Sequence, residues 1–360
     1  MTTELLTAEA AGLSGKYAVN HKQPYIATSG RYSGQSVVSI PNGQMDKDGQ
    51  PTFIERPINT NATLRKDEWI DLEDQVIEAA RERLVIVEDM RSAGLTYNVG
   101  GLGTLISEWE EASEMTDAEI TMDGESTNDK DRQAFSLAGV PVPVVQKDFT
   151  IGERQLLSSR QRGASLDVTS GTEAARAVAR RSESMIFFGG NIGASNSAGN
   201  SYTIPGLTTF ADRATFTISD WSDDSGVSAE TILSEILQMV QKLETEERRY
   251  GPFTLYIPGA YSFRFREDFK ANSDKTLMQR VMDEDVISNV RVSDVLTTGN
   301  VVLVELNRTV LDLAVASDLS TIQWQSGSGF TNHFKVFASW APRLKKDYDG
   351  RTGILHGSTA

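Results

Sequence analysis

Residues 107–132 hold ten carboxylates (Glu108, Glu110, Glu111, Glu114, Asp117, Glu119, Asp123, Glu125, Asp129 and Asp131) against two cations, Lys130 and Arg132, a net charge of −8 in 26 residues. So dense a run of one sign cannot enter a core and reads as a solvated or unstructured segment. Strand-like sequence flanks it on both sides, so the pattern predicts a long two-stranded loop projecting from a body. Residues 1–66 are equally poor in core-forming side chains. Gly, Ser, Thr, Asn and Pro recur there (GRYSGQS, IPNGQMDKDGQP), and apolar residues come in short groups such as Val37-Val38 and Phe53-Ile54. This segment buries no core of its own. Fully extended at ~3.3 Å per residue, its ~60 residues reach up to ~200 Å. It reads as a tail, or as an arm that orders on neighbouring subunits.

The remainder alternates helical and extended patterns. Over residues 67–84, Trp69, Leu72, Val76, Ala80 and Leu84 recur at helical spacing with acids between them. Leu84-Val85-Ile86-Val87 reads as a turn into extended chain. Residues 140–151 alternate as a half-buried strand, and a short helix is expected after them. Residues 172–188 predict a helix with a stripe of Ala175, Val178, Ser182 and Met185 beside Ala174, Ala177 and Ile186, ended by Gly189-Gly190. The Asn-, Gly- and Ser-rich stretch 191–206 reads as a loop.

Ser228 is placed to cap a helix over 229–248 whose apolar face is Ile232, Leu233, Ile236, Met239, Val240 and Leu243; Gly251-Pro252 stops it. Phe253–Ile257 reads as a buried strand. Helical pieces follow near 260–270 and 274–284, then strands at 286–292, 301–306, 310–315, 320–325 and 333–340. The order predicts a mixed α+β chain, not a regular βαβ alternation.

Chemistry is hard to find. There is no cysteine, which excludes disulfides, thiolate metal sites and cysteine nucleophiles, and suits a reducing cytosol. The three histidines, His21, His333 and His356, have no metal-ligand spacing and read as surface or packing residues. Neither a G-x-S-x-G elbow nor a P-loop is present. Gly101-Leu102-Gly103 starts a dinucleotide fingerprint that fails at Ile106, and Asp46-Lys47-Asp48-Gly49 starts a calcium loop that lacks its bidentate acid. The reading is therefore of a non-enzyme, with no catalytic residue, cofactor or metal.

No apolar run approaches the ~18 residues of a membrane span, and the start has no basic-then-apolar leader, so neither membrane nor secretion is expected. The net charge of −15 disfavours DNA gripping by the chain as a whole. Ordering ~90 residues of arm and loop costs on the order of 1–2 kcal/mol each. Only contacts beyond the subunit's own core offset that, as in a lattice of copies.

The order of these features resembles the encapsulin and tailed-phage capsid superfamily with the Hong Kong 97-like fold, over about residues 64–345. LRKDEWIDLEDQVIEAARERLVIVEDM is similar to the opening helix of encapsulins. PVPVVQKDFTIGERQLLSSRQRGASLDVTSGTEAARAVARRSESMIFFGG resembles the strand, connector and spine helix of the peripheral domain, with Leu166-Asp167 before the helix and Ile186, Phe187 and Gly189 closing it. Ile204-Pro205-Gly206-Leu207 resembles the entry to the axial domain, and GPFTLYIPGAYSFRF the strand–turn–helix that follows the long helix.

The resemblance implies an arm (1–66), a first peripheral segment (67–106), an elongated acidic loop (107–139) laid over an adjacent subunit, a peripheral domain with the spine helix (140–206), an axial domain (207–310), and a peripheral return with a C-terminal tail (311–360). It implies a phage major capsid subunit, closing as hexamers and pentamers into an icosahedral head in the host cytoplasm. That head encloses double-stranded DNA without sequence-specific binding, alongside portal and scaffold or decoration proteins. The alternative is an encapsulin shell holding a cargo enzyme, with the cargo tail near the first helix. The extra arm and the long polar loop suit the capsid better. In either, the loop acids Glu108, Glu110, Glu111, Glu114, Asp117 and Glu119 are candidate partners of Arg154, Arg160, Arg162, Arg176, Arg180 and Arg181 around the spine. Exposed pairs are worth ~0–1 kcal/mol each, so they set register more than strength.

Overall fold

The structure is a computed structural model and describes residues 25–26, 36–45, 51–57, 66–82, 84–112, 120, 122, 133, 135–162, 169–223, 226–270, 274–325, 331–347 and 349–359. In chain order its elements are strands β1 (Tyr25–Ile26), β2 (Ser36–Met45) and β3 (Pro51–Pro57), helices α1 (Lys66–Arg81) and α2 (Val85–Ser92), and strands β4 (Thr96–Asn98), β5 (Ile106–Ala112), β6 (Phe135–Pro141) and β7 (Val144–Gly152). Helices α3 (Glu153–Arg162) and α4 (Thr169–Phe188) follow, then strands β8 (Gly190–Ser195), β9 (Ser201–Ile204) and β10 (Ala214–Ile218), helix α5 (Ala229–Thr245) and strand β11 (Phe253–Pro258). The last are helices α6 (Ser262–Arg266) and α7 (Leu277–Met282) and strands β12 (Ile287–Ser293), β13 (Asn300–Glu305), β14 (Leu311–Gln325), β15 (Thr331–Leu344) and β16 (Ile354–Thr359). No helix among the described residues is long and apolar enough to cross a membrane.

The chain divides into two compact units. The smaller takes residues 1–70, 150–166 and 323–333. In it β2 pairs antiparallel with both β1 and β3, with Ile40 opposite Ile54 and a register shift between Pro41 and Met45. The described parts of the expected arm are thus extended strands that satisfy their backbone groups on one another. The turn at residues 46–49 and His21 lie outside the described residues. In the same unit the buried Glu153 carboxylate accepts a hydrogen bond from Asn332 Nδ2 at 3.1 Å, and Trp324 stacks on His333 with ring centroids 5.4 Å apart.

The larger unit is built on a five-stranded mixed sheet in the order β10-β16-β13-β11-β12. Strand β16 runs parallel to β10 and antiparallel to β13; β11 is antiparallel to β13 and parallel to β12. All six residues of β11 are buried, as a near-continuous apolar strand covered on both faces must be. Helix α5 packs its apolar face on this sheet. Ile232, Leu233, Ile236, Met239, Val240 and Leu243, the face read from the periodicity, are all buried in the cluster that holds Trp221, Phe253, Leu255 and Tyr261. Each such side chain contributes about 1.5–3 kcal/mol. The Ser228 hydroxyl caps the helix by accepting the Thr231 N–H at 3.2 Å. Replacing Ser228 with Ala is expected to cost about 1 kcal/mol, read as a lower denaturant midpoint at unchanged slope.

Four expectations are corrected. Residues 84–87 do not extend; they open helix α2. Its β-branched start has no local cap, and the Glu183 carboxylate of α4 accepts the Ile86 N–H at 2.8 Å instead. The polar stretch 191–206 is not a loop but the antiparallel pair β8–β9, which lies against β6. Residues 310–315 and 320–325 merge into the single strand β14 of 15 residues, because neighbours in the sheet order β4-β14-β15-β7 pair along it. Finally, residues 354–359 are not a tail. Strand β16 is interior to the five-stranded sheet, where Ile354 and Leu355 are fully buried.

Candidate assembly surface

The chain on either side of the acidic stretch forms a two-stranded ribbon. Strand β5 pairs antiparallel with β6, with Glu108 opposite Gly139, Trp109 opposite Ala138, Glu110 opposite Leu137 and Ala112 opposite Phe135. Because side chains alternate along a strand, the ribbon has two faces. One carries Trp109 and Glu111. The Trp109 ring lies 5.6 Å from the Arg343 guanidinium, which also sits 3.8 Å above the centroid of Tyr97. Burial pushes the Glu111 carboxyl up, against the pull of Trp109 and of the nearby Lys346 ammonium.

The other face is covered only at its base. There Glu108 accepts a hydrogen bond from Asn196 Nδ2 at 2.6 Å, and the Tyr202 ring lies where a Cβ on Gly139 would meet it at 3.0 Å. Further out the same face presents Glu110, Leu137 (46% exposed) and Phe135 (63% exposed) to solvent. Leu137 and Phe135 thus form an exposed apolar pair beside Glu110.

The root of the ribbon is anchored electrostatically. Arg343 binds Asp312 through two hydrogen bonds of 2.5 and 2.6 Å, and Lys345 Nζ reaches the same carboxylate at 2.7 Å. Asp312 and Arg343 are both buried, so the pair is desolvated and fixed in geometry.

A second anchor joins the spine helix to the segment entering the five-stranded sheet. The last carbonyls of a helix have no partner within it. At the end of α4 they are met by Ile204-Pro205-Gly206-Leu207: the Leu207 and Thr208 N–H groups bond the Ile186 and Phe187 carbonyls at 2.9 Å each, and Thr208 Oγ1 donates to the Phe187 carbonyl at 2.7 Å. Gly189, at φ +79°, lets the chain turn there.

The sequence-derived site residues separate. Glu108 is engaged within its own chain, Glu111 is half-buried, and Glu110 faces out. Glu114, Asp117 and Glu119 lie outside the described residues, as do the side chains of Arg160 and Arg162. Arg176 pairs with Glu173 at 2.8 Å and Glu82 at 3.4 Å, so it is taken by its own subunit. Arg154, Arg180 and Arg181 are exposed. Sequence reasoning missed Asp312, Arg343, Lys345, Asp89 and Glu183, whose partners are distant in the chain. A cation and an anion inside apolar strands, as in Leu311–Val315 and Phe334–Leu344, was the available signal.

Helix α2, the end of α1 and strands β14 and β15 also enclose a groove of about 360 Å³. Ile77, Leu84, Val87, Leu319 and Trp340 line it, and Arg91 crosses it, paired with Asp318 at 2.5 Å and lying 5.1 Å from the Trp340 ring. Among the described residues no cluster of His, Asp or Glu has the form of a metal site.

The chain has the Hong Kong 97-like fold of solved virus-like-particle and phage-capsid structures. The virus-like particle of Pyrococcus furiosus aligns over 81% of this chain and 99% of its own, with a TM-score of 0.57 and 14% identity. The capsid of Myoviridae phage XM1 aligns over 74% and 89%, with a TM-score of 0.56 and 12% identity. Residues 59–357 match the family described as a family of unknown function (DUF6260), and the chain belongs to it. In sequence it is similar to the type 1 encapsulin shell protein EncA of Myxococcus xanthus (strain DK1622), 27% identical over 289 residues that span 78% of this chain and 90% of that protein.

Proposed function

We propose that this protein is a structural, non-catalytic subunit that assembles with copies of itself into a closed icosahedral shell, and that the shell is a phage head built of hexamers and pentamers around double-stranded DNA. The observation that carries the reading is the ribbon β5–β6, one face of which sets Glu110, Leu137 and Phe135 in solvent. A second copy covers that face. The exposed Arg180 and Arg181 of the spine helix offer charge complementary to Glu110 and the acids beyond it. The net charge of −15 keeps packed DNA from adhering to the wall, and the arm preceding the family region suits a capsid. Portal and scaffold or decoration proteins complete that assembly, and the virion is its place.

A second reading, an encapsulin shell in the cytoplasm holding a cargo enzyme, is favoured by the sequence relatives. Electron microscopy of the purified protein tests the common claim: polyhedral shells or capsomers are expected, and small monomeric particles sink it. Shells from the native host that contain DNA support the phage reading; shells that contain one co-purified enzyme support the second. Replacing Glu110, Glu114, Asp117 and Glu119 with Gln or Asn is expected to weaken assembly or flatten its salt dependence. Unchanged assembly with unchanged salt dependence removes the acidic clamp from the mechanism.

A further inference from the structure

Helix α2 is held at its start by the buried Glu183 carboxylate and near its middle by its own buried Asp89. Glu183, on α4, is fully buried; its Oε1 accepts the Ile86 N–H at 2.8 Å, and its Oε2 is buried with no hydrogen-bond partner. One turn along α2, Asp89 accepts the Tyr256 hydroxyl of β11 at 2.9 Å and pairs with Arg291 of β12 at 2.7 Å. The N–H groups of residues 85–87 and Asp89 of α2 face Glu183 directly, Tyr256 of β11 lies near enough to feel its charge, and Arg291 of β12 pairs with Asp89. Arg180 and Arg181 of its own helix are exposed to solvent. The Glu183 carboxyl thus sits in a dry site with one oxygen unsatisfied and a second carboxylate nearby. Such a site holds a neutral acid better than an anion.

We propose that Glu183 is a proton-gated latch on helix α2: protonated, it seats the helix on the spine, and the helix opens at the expense of that proton. Because α2 supplies Leu84's neighbour Val87 together with Glu88 and Arg91 to the wall of the groove, the latch also governs access to the groove. This inference concerns the folded subunit and stands whether or not a shell forms.

Burial raises the Glu183 carboxyl from 4.5 to about 8, against the pull of the Ile86, Val87 and Val85 N–H groups. When α2 opens, Glu183 meets water and ionises as an ordinary carboxylate. Between those two values the closed form holds a proton that the open form has lost. Rising pH therefore favours opening by about tenfold per pH unit and has no further effect above about 8.

Hydrogen exchange of the full-length protein, followed by mass spectrometry on peptides spanning residues 84–92 and corrected for intrinsic exchange, reads this directly. Protection is expected to fall about tenfold per pH unit between pH 6 and 8 and then to level off. In Glu183→Gln, which keeps a carbonyl for Ile86 but cannot ionise, protection is expected to be flat with pH. Protection independent of pH in the unsubstituted chain, or the same fall in Glu183→Gln, overturns the latch. Should Glu183→Gln not fold, Asp89→Asn removes the neighbouring charge, and the levelling-off is expected at a lower pH; an unmoved levelling-off overturns the proposal equally.

Discussion

Gly206→Ala is expected to prevent the subunit from folding to its native state, with loss of soluble protein or a destabilisation on the order of 5 kcal/mol. A Cβ at position 206 meets the Gly189 nitrogen at 2.1 Å, the Phe188 carbonyl carbon at 2.4 Å and the Phe187 oxygen at 2.6 Å. All three are backbone atoms, so no side chain can rotate aside. To make room, residues 204–208 must lift from the end of α4, and the Ile186 and Phe187 carbonyls lose the three hydrogen bonds that cap the spine helix. Each buried carbonyl left unpaired costs about 1–3 kcal/mol. Gly103→Ala is the control. A Cβ there meets nothing within 4 Å, so near-native stability is expected. Thermal melts of the two variants decide the matter, and a Gly206→Ala protein that melts with the unsubstituted chain refutes this account of the lock.

The second large effect concerns Arg343. Changing it to Met keeps much of the side-chain volume but leaves Asp312, 2% exposed, with Lys345 as its one remaining counter-charge among the described residues. Breaking one side of a buried ion pair costs about 3–5 kcal/mol, because the remaining charge stays desolvated. The substitution also strips Tyr97 and Trp109 of the cation they share, worth about 0.5–2 kcal/mol more. Chemical denaturation of Arg343→Met is expected to show a loss in that range. The double variant Arg343→Met, Asp312→Leu is expected to recover most of it, since an apolar pair replaces the orphaned charge. If the double variant is as unstable as the single one, the damage comes from lost packing at the ribbon root and not from Asp312.

The parts of this molecule that follow local rules were legible in the chain. The apolar face of α5, its Ser228 cap and the buried strand β11 were read at the right residues, because a period of 3.6 or a continuous apolar run is written within one element. Of the candidate assembly surface, the pairing of the strands that flank the acidic stretch was legible, and Glu110 proved to be exposed. That Arg176 is occupied by Glu82 and Glu173 was not legible as an occupied site, because Glu82 lies 94 residues away in the chain. The apolar residues Phe135 and Leu137, exposed beside Glu110, were hidden behind the charge that surrounds them.

The helices with a repeating apolar face and the buried strand after the long helix are written in the order of the residues alone. Tertiary structure alone decided that Val85-Ile86-Val87 is helical, since its cap is a carboxylate 97 residues away. It alone placed β16 inside the sheet, between a strand that ends at Ile218 and one that ends at Glu305. The physical reason is common to both. A short segment's preference between helix, strand and tail is worth a few tenths of a kcal/mol per residue, and one buried hydrogen-bonded partner from elsewhere in the chain outweighs it.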